Sequence, residues 1–151
     1  MLRIKLSLRR RRLIARALSL LALWSAAPLT RSQPTAGVPP GPNPRWAEAA
    51  HAMKRLAESW GDQSYGAVLV IDDRLVGEGP SRVIQRGDVS AHAEREAIRD
   101  AQRRLRRASL AGSVLYSTSR PCAACVAAAA AAGVNRMYFG ETMQNAGIAK
   151  P

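Results

Sequence analysis

Apolar side chains recur at helical spacing after Pro44, and together they form one face of a predicted helix: Trp46, Ala49, Ala50, Met53, Leu56, Ala57 and Trp60. Asn43 is a residue type that often caps helices, and proline is favoured at the first helical position. The pattern therefore predicts an amphipathic helix that begins at Pro44. His51 falls on the opposite, polar face, so we expect it to face solvent and not to bind a metal.

The rest of the chain alternates between strand and helix patterns. Four short runs are predicted as strands, the first of them rich in β-branched residues: Tyr65–Ile71, Arg74–Gly79, Ser113–Ser119 and Asn135–Gly140. One further helix is predicted from a cap at Ser90 to about Arg107. Another begins at Pro121, runs through a series of alanines and ends at Gly133. The predicted order, α-β-β-α-β-α-β, is typical of a sheet with helices on its faces.

Positive charge is concentrated at the start of the chain. The 151 residues include 23 basic and 11 acidic ones, which gives a formal net charge of +12. Eight of the basic residues lie within residues 1–32, which contain no acid, so 15 basic residues remain against the 11 acidic ones. A domain this mildly basic gives little reason to expect a nucleic-acid partner.

The first 32 residues have the composition of a targeting segment. Basic residues up to Arg12 precede an uncharged stretch over residues 17–27, shorter than the roughly 20 residues that span a bilayer. Arg10-Arg11-Arg12 also resembles a twin-arginine export signal. We expect residues 1–32 to be an export signal, 33–43 a Pro/Gly-rich linker and 44–151 the folded domain of an exported or periplasmic protein with no stable membrane span. The alternatives are a transit peptide, a disordered basic tail or a start codon assigned too early, and a cytoplasmic location is the alternative to export.

Two short motifs carry metal-ligand side chains. His92-Ala93-Glu94 supplies an imidazole and an acid, and Pro121-Cys122-Ala123-Ala124-Cys125 supplies two thiols three positions apart, on one face of a helix. Catalytic zinc is held by three protein ligands of these types and keeps a fourth position open. We therefore expect one Zn²⁺ per chain on His92, Cys122 and Cys125, with Glu94 placed to move protons.

The two motifs together resemble the H-x-E and P-C-x-x-C signature of the zinc-dependent cytidine/deoxycytidylate deaminase superfamily, nearer its guanine deaminase and tRNA adenosine deaminase branch. The similarity runs from roughly Pro44 to Gly140. It implies an α/β, three-layer fold of the cytidine deaminase type. It also implies hydrolysis of an exocyclic amine on a nucleobase or nucleoside to a carbonyl, with release of ammonia, and Glu94 as the catalytic residue.

The chain departs from this resemblance at three places. The purine-acting branch usually carries an Asn where Ser81 stands, so Ser81 is the candidate substrate-binding residue. Arg120 precedes Pro121 where the family often has Glu. Only 11 residues follow Gly140, too few for a crossover to another parallel strand. We therefore expect a C-terminally shortened sheet of about four strands, with an open edge that the tail or a second copy covers, as in a homodimer.

Three other functions are compatible with the motifs. The first is a tRNA or nucleic-acid adenosine deaminase, which export and the modest charge of the domain both disfavour. The second is a catalytically inactive module that binds zinc or reacts through its thiols. The third is a redox-active C-x-x-C, which leaves His92-Ala93-Glu94 without a role. The leading prediction is an enzyme whose substrate is a small nucleobase or nucleoside.

Overall fold

The computed structural model describes residues 41–147, which lie within one compact unit. The export signal predicted for residues 1–32, and most of the linker predicted for 33–43, lie outside the described residues. The helices are α1 (Pro44–Ser59), α2 (Val83–Arg86), α3 (Ala93–Leu105) and α4 (Ala123–Ala132). The strands are β1 (Gly66–Ile71), β2 (Arg74–Pro80), β3 (Ser113–Ser117), β4 (Arg136–Phe139) and β5 (Gln144–Gly147). Over residues 41–147, no helix is both long and apolar enough to cross a membrane.

The strands form one mixed sheet in the order β2-β1-β3-β4-β5. β1 pairs antiparallel with both β2 and β3, β3 and β4 run parallel, and β5 returns antiparallel to β4. Leu69 of β1 faces Leu115 of β3 in this register, and Tyr116 of β3 faces Tyr138 of β4. The predicted mixed α/β sheet is confirmed, and it has one strand more than predicted.

The extra strand is formed by the tail, which was one of the two alternatives expected to cover the edge of β4. Gln144 pairs with Phe139, and Gly147 pairs with Met137, across a tight turn. A parallel neighbour would need a long crossover, but an antiparallel neighbour needs only a turn, and four residues suffice for the strand. The turn places Met143 in the core, where its side chain is 5% exposed.

Alternating side chains of the sheet contribute to two apolar layers, one on each face. On one face α1 packs against the sheet through Trp46, Ala50, Val68, Val70, Tyr116, Tyr138 and Met143. On the other face α3 and α4 pack through Ala67, Leu69, Ala97, Ile98, Leu115, Ala129 and Met137. The predicted three-layer arrangement, with helices on both faces, is therefore confirmed.

Glycine lets α3 lie directly on β2. A Cβ atom added at Gly79 would overlap the carbonyl oxygen of Ala93, and one at Gly77 would overlap that of Ala97. Small side chains on both elements thus fix the depth at which α3 sits on the sheet. This contact holds the N-terminal end of α3, where His92 lies.

Four local predictions need correction. The cap of α3 is His92 and not Ser90, whose hydroxyl instead accepts a hydrogen bond from Arg99 at 3.3 Å. The short helix α2 was not predicted. His51 is less exposed than expected: its side chain is 20% exposed, and its Nε2 lies 3.4 Å from a carboxylate oxygen of Glu141. Leu56 and Trp60, both expected on the apolar face, are each 37% exposed.

Candidate metal centre and active site

Three predicted ligands meet where two helices begin. His92 is the N-cap residue of α3, Cys122 is the N-cap residue of α4, and Cys125 lies in the first turn of α4. The Cys122 sulfur accepts a hydrogen bond from the Cys125 amide at 3.4 Å. His92 Nδ1 lies 3.6 Å from Cys122 Sγ and 3.5 Å from Cys125 Sγ. The ligand atoms of all three residues are within 4.8 Å of one another.

The cluster fits a tetrahedral zinc ion. Zn–N and Zn–S bonds of about 2.0–2.3 Å place neighbouring ligand atoms roughly 3.3–3.8 Å apart, which brackets both imidazole–sulfur distances. One imidazole and two thiols suit zinc chemically. Among the His, Cys and acidic side chains of residues 41–147, the group close enough to hold an ion consists of His92, Cys122 and Cys125. The geometry therefore leaves one tetrahedral position for water or substrate.

The surroundings of Cys125 favour the binding of a cation beside its sulfur. The residue is fully buried, and its sulfur lies 3.5 Å from Oε2 of Glu94. Burial and the neighbouring Glu94 carboxylate raise the pKa of the Cys125 thiol well above its ordinary value. A divalent cation offsets both effects because it stabilises the thiolate directly.

Glu94 is buried at 3% exposure in the first turn of α3. Its Oε1 accepts a hydrogen bond of 2.8 Å from the hydroxyl of Ser117 at the end of β3. Its Oε2 is therefore the oxygen directed toward Cys125. The sequence placed Ser117 in a strand but gave no sign of this contact, because the two residues are 23 positions apart.

A cavity of about 200 Å³ opens on this cluster. The lining residues include His92, Glu94 and Cys122, together with Gln63, Tyr65, Ala93, Ser119 and Arg120. Gln63 and Tyr65 belong to the loop between α1 and β1, and sequence reasoning missed both. The loop carries no motif, and only the fold brings it beside residues that lie about thirty positions further along.

Ser81 is placed elsewhere. It is fully buried, its hydroxyl donates to Asp62 Oδ1 at 2.9 Å, and it is not among the residues that line the cavity. Asp62 Oδ1 also accepts from the Gln63 amide at 2.7 Å, and Oδ2 accepts from the Gln85 amide at 2.8 Å. Burial alone would raise the pKa of Asp62, but these hydrogen bonds outweigh it and hold that pKa below its ordinary value. Ser81 thus helps to position the loop that bears Gln63, and its contact with substrate stays a prediction.

The fold and the cluster define a three-ligand zinc centre, with a buried acid beside it, at the N-termini of two helices on a mixed sheet. The family model of the cytidine and deoxycytidylate deaminase zinc-binding region matches residues 43–141, and the chain belongs to that family.

Relatives within the family are named for two different deaminase activities. A tRNA-specific adenosine deaminase of Buchnera aphidicola is 33% identical over 100 residues, which cover 66% of this chain and 66% of the relative. A structure from a study of A-to-I editing by tRNA:A34 deaminases is 37% identical, with a TM-score of 0.63, over 65% of this chain and 71% of that one. Guanine deaminase of Bacillus subtilis is 28% identical, with a TM-score of 0.62, over 66% of this chain and 64% of that one. The matched part of the chain thus covers between 64% and 71% of the length of these proteins.

Proposed function

We propose that this protein is a zinc-dependent hydrolase that converts an exocyclic amine of a nucleobase or nucleoside into a carbonyl and releases ammonia. The observation that carries this proposal is the position of Glu94. Its carboxylate is buried at 3% exposure, held by Ser117 and directed at a cluster that fits zinc. His92, Cys122 and Cys125 would hold the metal, and the cavity beside them would receive the base.

Zinc bound at this cluster would supply Lewis-acid chemistry that lowers the pKa of a water molecule at the open position. Glu94 accepts the proton of the attacking water through Oε2, since Ser117 holds Oε1. Glu94 then delivers a proton to the ring nitrogen and finally to the departing amine. The reaction consumes one water and one ring amine, and it yields one ring carbonyl and one ammonia. Burial of the carboxylate keeps bulk water from competing for the proton.

Adenosine in tRNA is a second candidate substrate. Relatives named for tRNA adenosine deamination match this chain at 33% and 37% identity. The cavity itself favours neither candidate, because a flipped-out base and a free base present the same reacting edge.

The test is ammonia release by the zinc-loaded, full-length protein from a panel of free bases, nucleosides and a tRNA anticodon stem-loop. Glu94→Gln should retain one zinc per chain and the fold, but lose about 10²–10⁴-fold or more in turnover, because an amide cannot carry the proton. Glu48→Gln is the matched control, since Glu48 is an exposed acid paired with Arg55 on α1. Loss of zinc from Glu94→Gln, or no ammonia from any substrate, would refute the proposal.

We also propose that two copies associate through α4. Four alanines of this helix are exposed, and none of its ten residues is charged: the exposed ones are Ala123, Ala124, Ala127 and Ala131. Such a surface can pack closely against a second copy, whose residues would then approach the cavity. The open-edge argument for association no longer applies, because β5 covers β4. Sedimentation at micromolar concentration tests the proposal, and a stable monomer with full activity would contradict it.

Export remains a proposal as well. It is supported by the acid-free, arginine-rich composition of residues 1–32. N-terminal sequencing of the mature protein should show that this segment has been removed. An intact N-terminus on protein isolated from the cytoplasm would favour the alternative location.

A further inference from the structure

A second cavity adjoins the first. It has a volume of about 680 Å³, and its walls include Val126 of α4, Phe139 of β4, and Gln144 and Asn145 of β5. Arg120 lines both this cavity and the 200 Å³ cavity that contains Glu94. A ligand whose reacting ring occupies the smaller cavity can therefore extend past Arg120 into the larger one.

Arg120 has the features of an anion-binding side chain. It is exposed, and within residues 41–147 no acid forms an ion pair with it. Its guanidinium carbon lies 5.8 Å from the centre of the Phe139 ring. An aromatic ring can hold the guanidinium plane by a cation–π contact and leave its N–H edge free. That edge donates parallel hydrogen bonds to phosphate, which a lysine ammonium cannot do.

The larger cavity suits the part of a nucleotide that does not react. Arg120 is the one charged residue among those that line it, while Gln144 and Asn145 offer amides for sugar hydroxyls or phosphate oxygens. The apolar surface of Phe139 and Val126 would pack against the sugar. Charge complementarity thus selects a ligand with a negative group next to the base.

We propose that the larger cavity binds a phosphate attached to the sugar of the substrate, that Arg120 is the residue that recognises this phosphate, and that the preferred substrate is therefore a base on a phosphorylated sugar. This proposal rests on the proposed deaminase function of the smaller cavity. The phosphate can come from two sources, a mononucleotide or the phosphodiester of a single strand, and the chemistry that Arg120 recognises is shared by both.

Equilibrium binding of reaction products tests the proposal without relying on turnover. The probes are uridine, inosine and xanthosine, their 5′-monophosphates, and short single-stranded RNAs that contain the same bases. Each is titrated calorimetrically into the full-length, zinc-loaded protein. A phosphate-bearing form should bind more tightly than its nucleoside. Arg120→Ala should weaken binding of the phosphate-bearing form about 10-fold, as expected for a hydrogen-bonded charge at a partly exposed site. Because Arg120 also lines the smaller cavity, Arg120→Ala should weaken nucleoside binding by less than it weakens binding of the phosphate-bearing forms, and Arg120→Lys should restore only part of the loss.

Arg45→Ala is the matched control. Arg45 is another exposed arginine over an aromatic ring, 4.4 Å from the centre of Trp46, and it lines neither cavity. It should not affect phosphate binding, whereas the Arg120 effect should weaken as salt increases. Preference for the monophosphates identifies a terminal phosphate, and preference for the RNAs identifies a phosphodiester.

Two results would overturn the proposal. One is a wild-type protein that binds each nucleoside as tightly as its phosphate-bearing forms. The other is an Arg120→Ala variant, with normal zinc content and circular dichroism, that weakens all ligands equally. Failure of the deaminase function is a separate result, because it would show as absent ammonia release while the phosphate preference and its loss in Arg120→Ala persist.

Discussion

The hydroxyl of Ser117 donates a 2.8 Å hydrogen bond to Oε1 of Glu94, and this bond joins the last residue of β3 to the first turn of α3. Both side chains are buried, Ser117 completely. A hydrogen bond to a charged group contributes about 1.5–3 kcal/mol. The contact therefore sets the orientation of the carboxylate and leaves Oε2 facing the metal-ligand cluster.

Replacement of Ser117 by alanine should lower kcat by about 10- to 100-fold, because Glu94 would lose its fixed orientation and a hydrogen bond to a charged group contributes about 1.5–3 kcal/mol. Zinc content should be unchanged, and KM should change little. Steady-state kinetics with metal analysis check this prediction.

Ser113→Ala is a matched control for that variant. Ser113 lies in the same strand and is fully buried, but its hydroxyl has no hydrogen-bond partner among the described residues. Its removal should leave kcat unaltered and should not lower the free energy of unfolding, since a buried hydroxyl without a partner is unfavourable. Equal losses of kcat in the two variants would contradict the role given to Ser117.

The chain has two histidines, and their replacements should behave differently. His92→Ala should lose zinc, and its melting temperature should fall to that of wild-type protein treated with a chelator, because metal binding stabilises the folded state. His51→Ala should retain zinc, since His51 lies beside Glu141 and outside the cluster. Atomic absorption and thermal melts provide the comparison, and zinc loss from His51→Ala would contradict the ligand assignment.

Gly79→Ala should destabilise the domain by at least about 1–3 kcal/mol, the usual cost of overpacking a tight contact. The added methyl group would overlap the Ala93 carbonyl and push α3 away from β2. Gly41→Ala is the control, because nothing lies within 4 Å of a Cβ at that position. Urea denaturation measures both, and a Gly79→Ala variant of wild-type stability would show that α3 can shift without cost.

Asp62 should make stability depend on pH in the acid range. Its pKa is lower in the folded protein than the ordinary value of 3.8, so the unfolded chain binds its proton more tightly. The stabilisation is therefore fully present above the ordinary pKa and is lost as pH falls through the lowered one. Unfolding free energies of the wild type and Asp62→Asn should converge as pH falls below 3.8 and through the lowered pKa of Asp62. Asp72→Asn, which changes an exposed acid in the turn between β1 and β2, is the control for the loss of one negative charge.

The sequence predicted most of the fold because its apolar positions follow clear periods. It missed β5 because Gln144-Asn145-Ala146-Gly147 contains no β-branched or aromatic residue. This strand exists through its backbone pairing with β4 and the burial of Met143 beside it, and both depend on a sheet that has already formed. Tertiary contacts therefore determined the one strand that local preference could not.

The candidate site divides in the same way. His92, Glu94 and the two cysteines were predicted because each motif places its ligands within a few residues. The Ser117 contact, the Gln63 loop and the pairing of Ser81 with Asp62 were not predicted. Ser81 and Asp62 are 19 positions apart, and Ser117 and Glu94 are 23 apart. Spacing along the sequence does not show which distant residues meet or where a side chain points.

The two halves of the metal centre differ in how much folded structure they need. Cys122 and Cys125 are three positions apart, so even a disordered chain can chelate zinc through both sulfurs. His92 lies 30 positions before Cys122 and reaches the sulfurs only after α3 and α4 have docked. Zinc bound to the unfolded chain reduces the net stabilisation that zinc gives to the native state. The imidazole binds zinc only in the native state, so it contributes the difference in zinc affinity between the native and the unfolded chain. With His92, zinc binding stabilises the native fold. The two thiols alone would bind zinc in the folded and the unfolded chain alike.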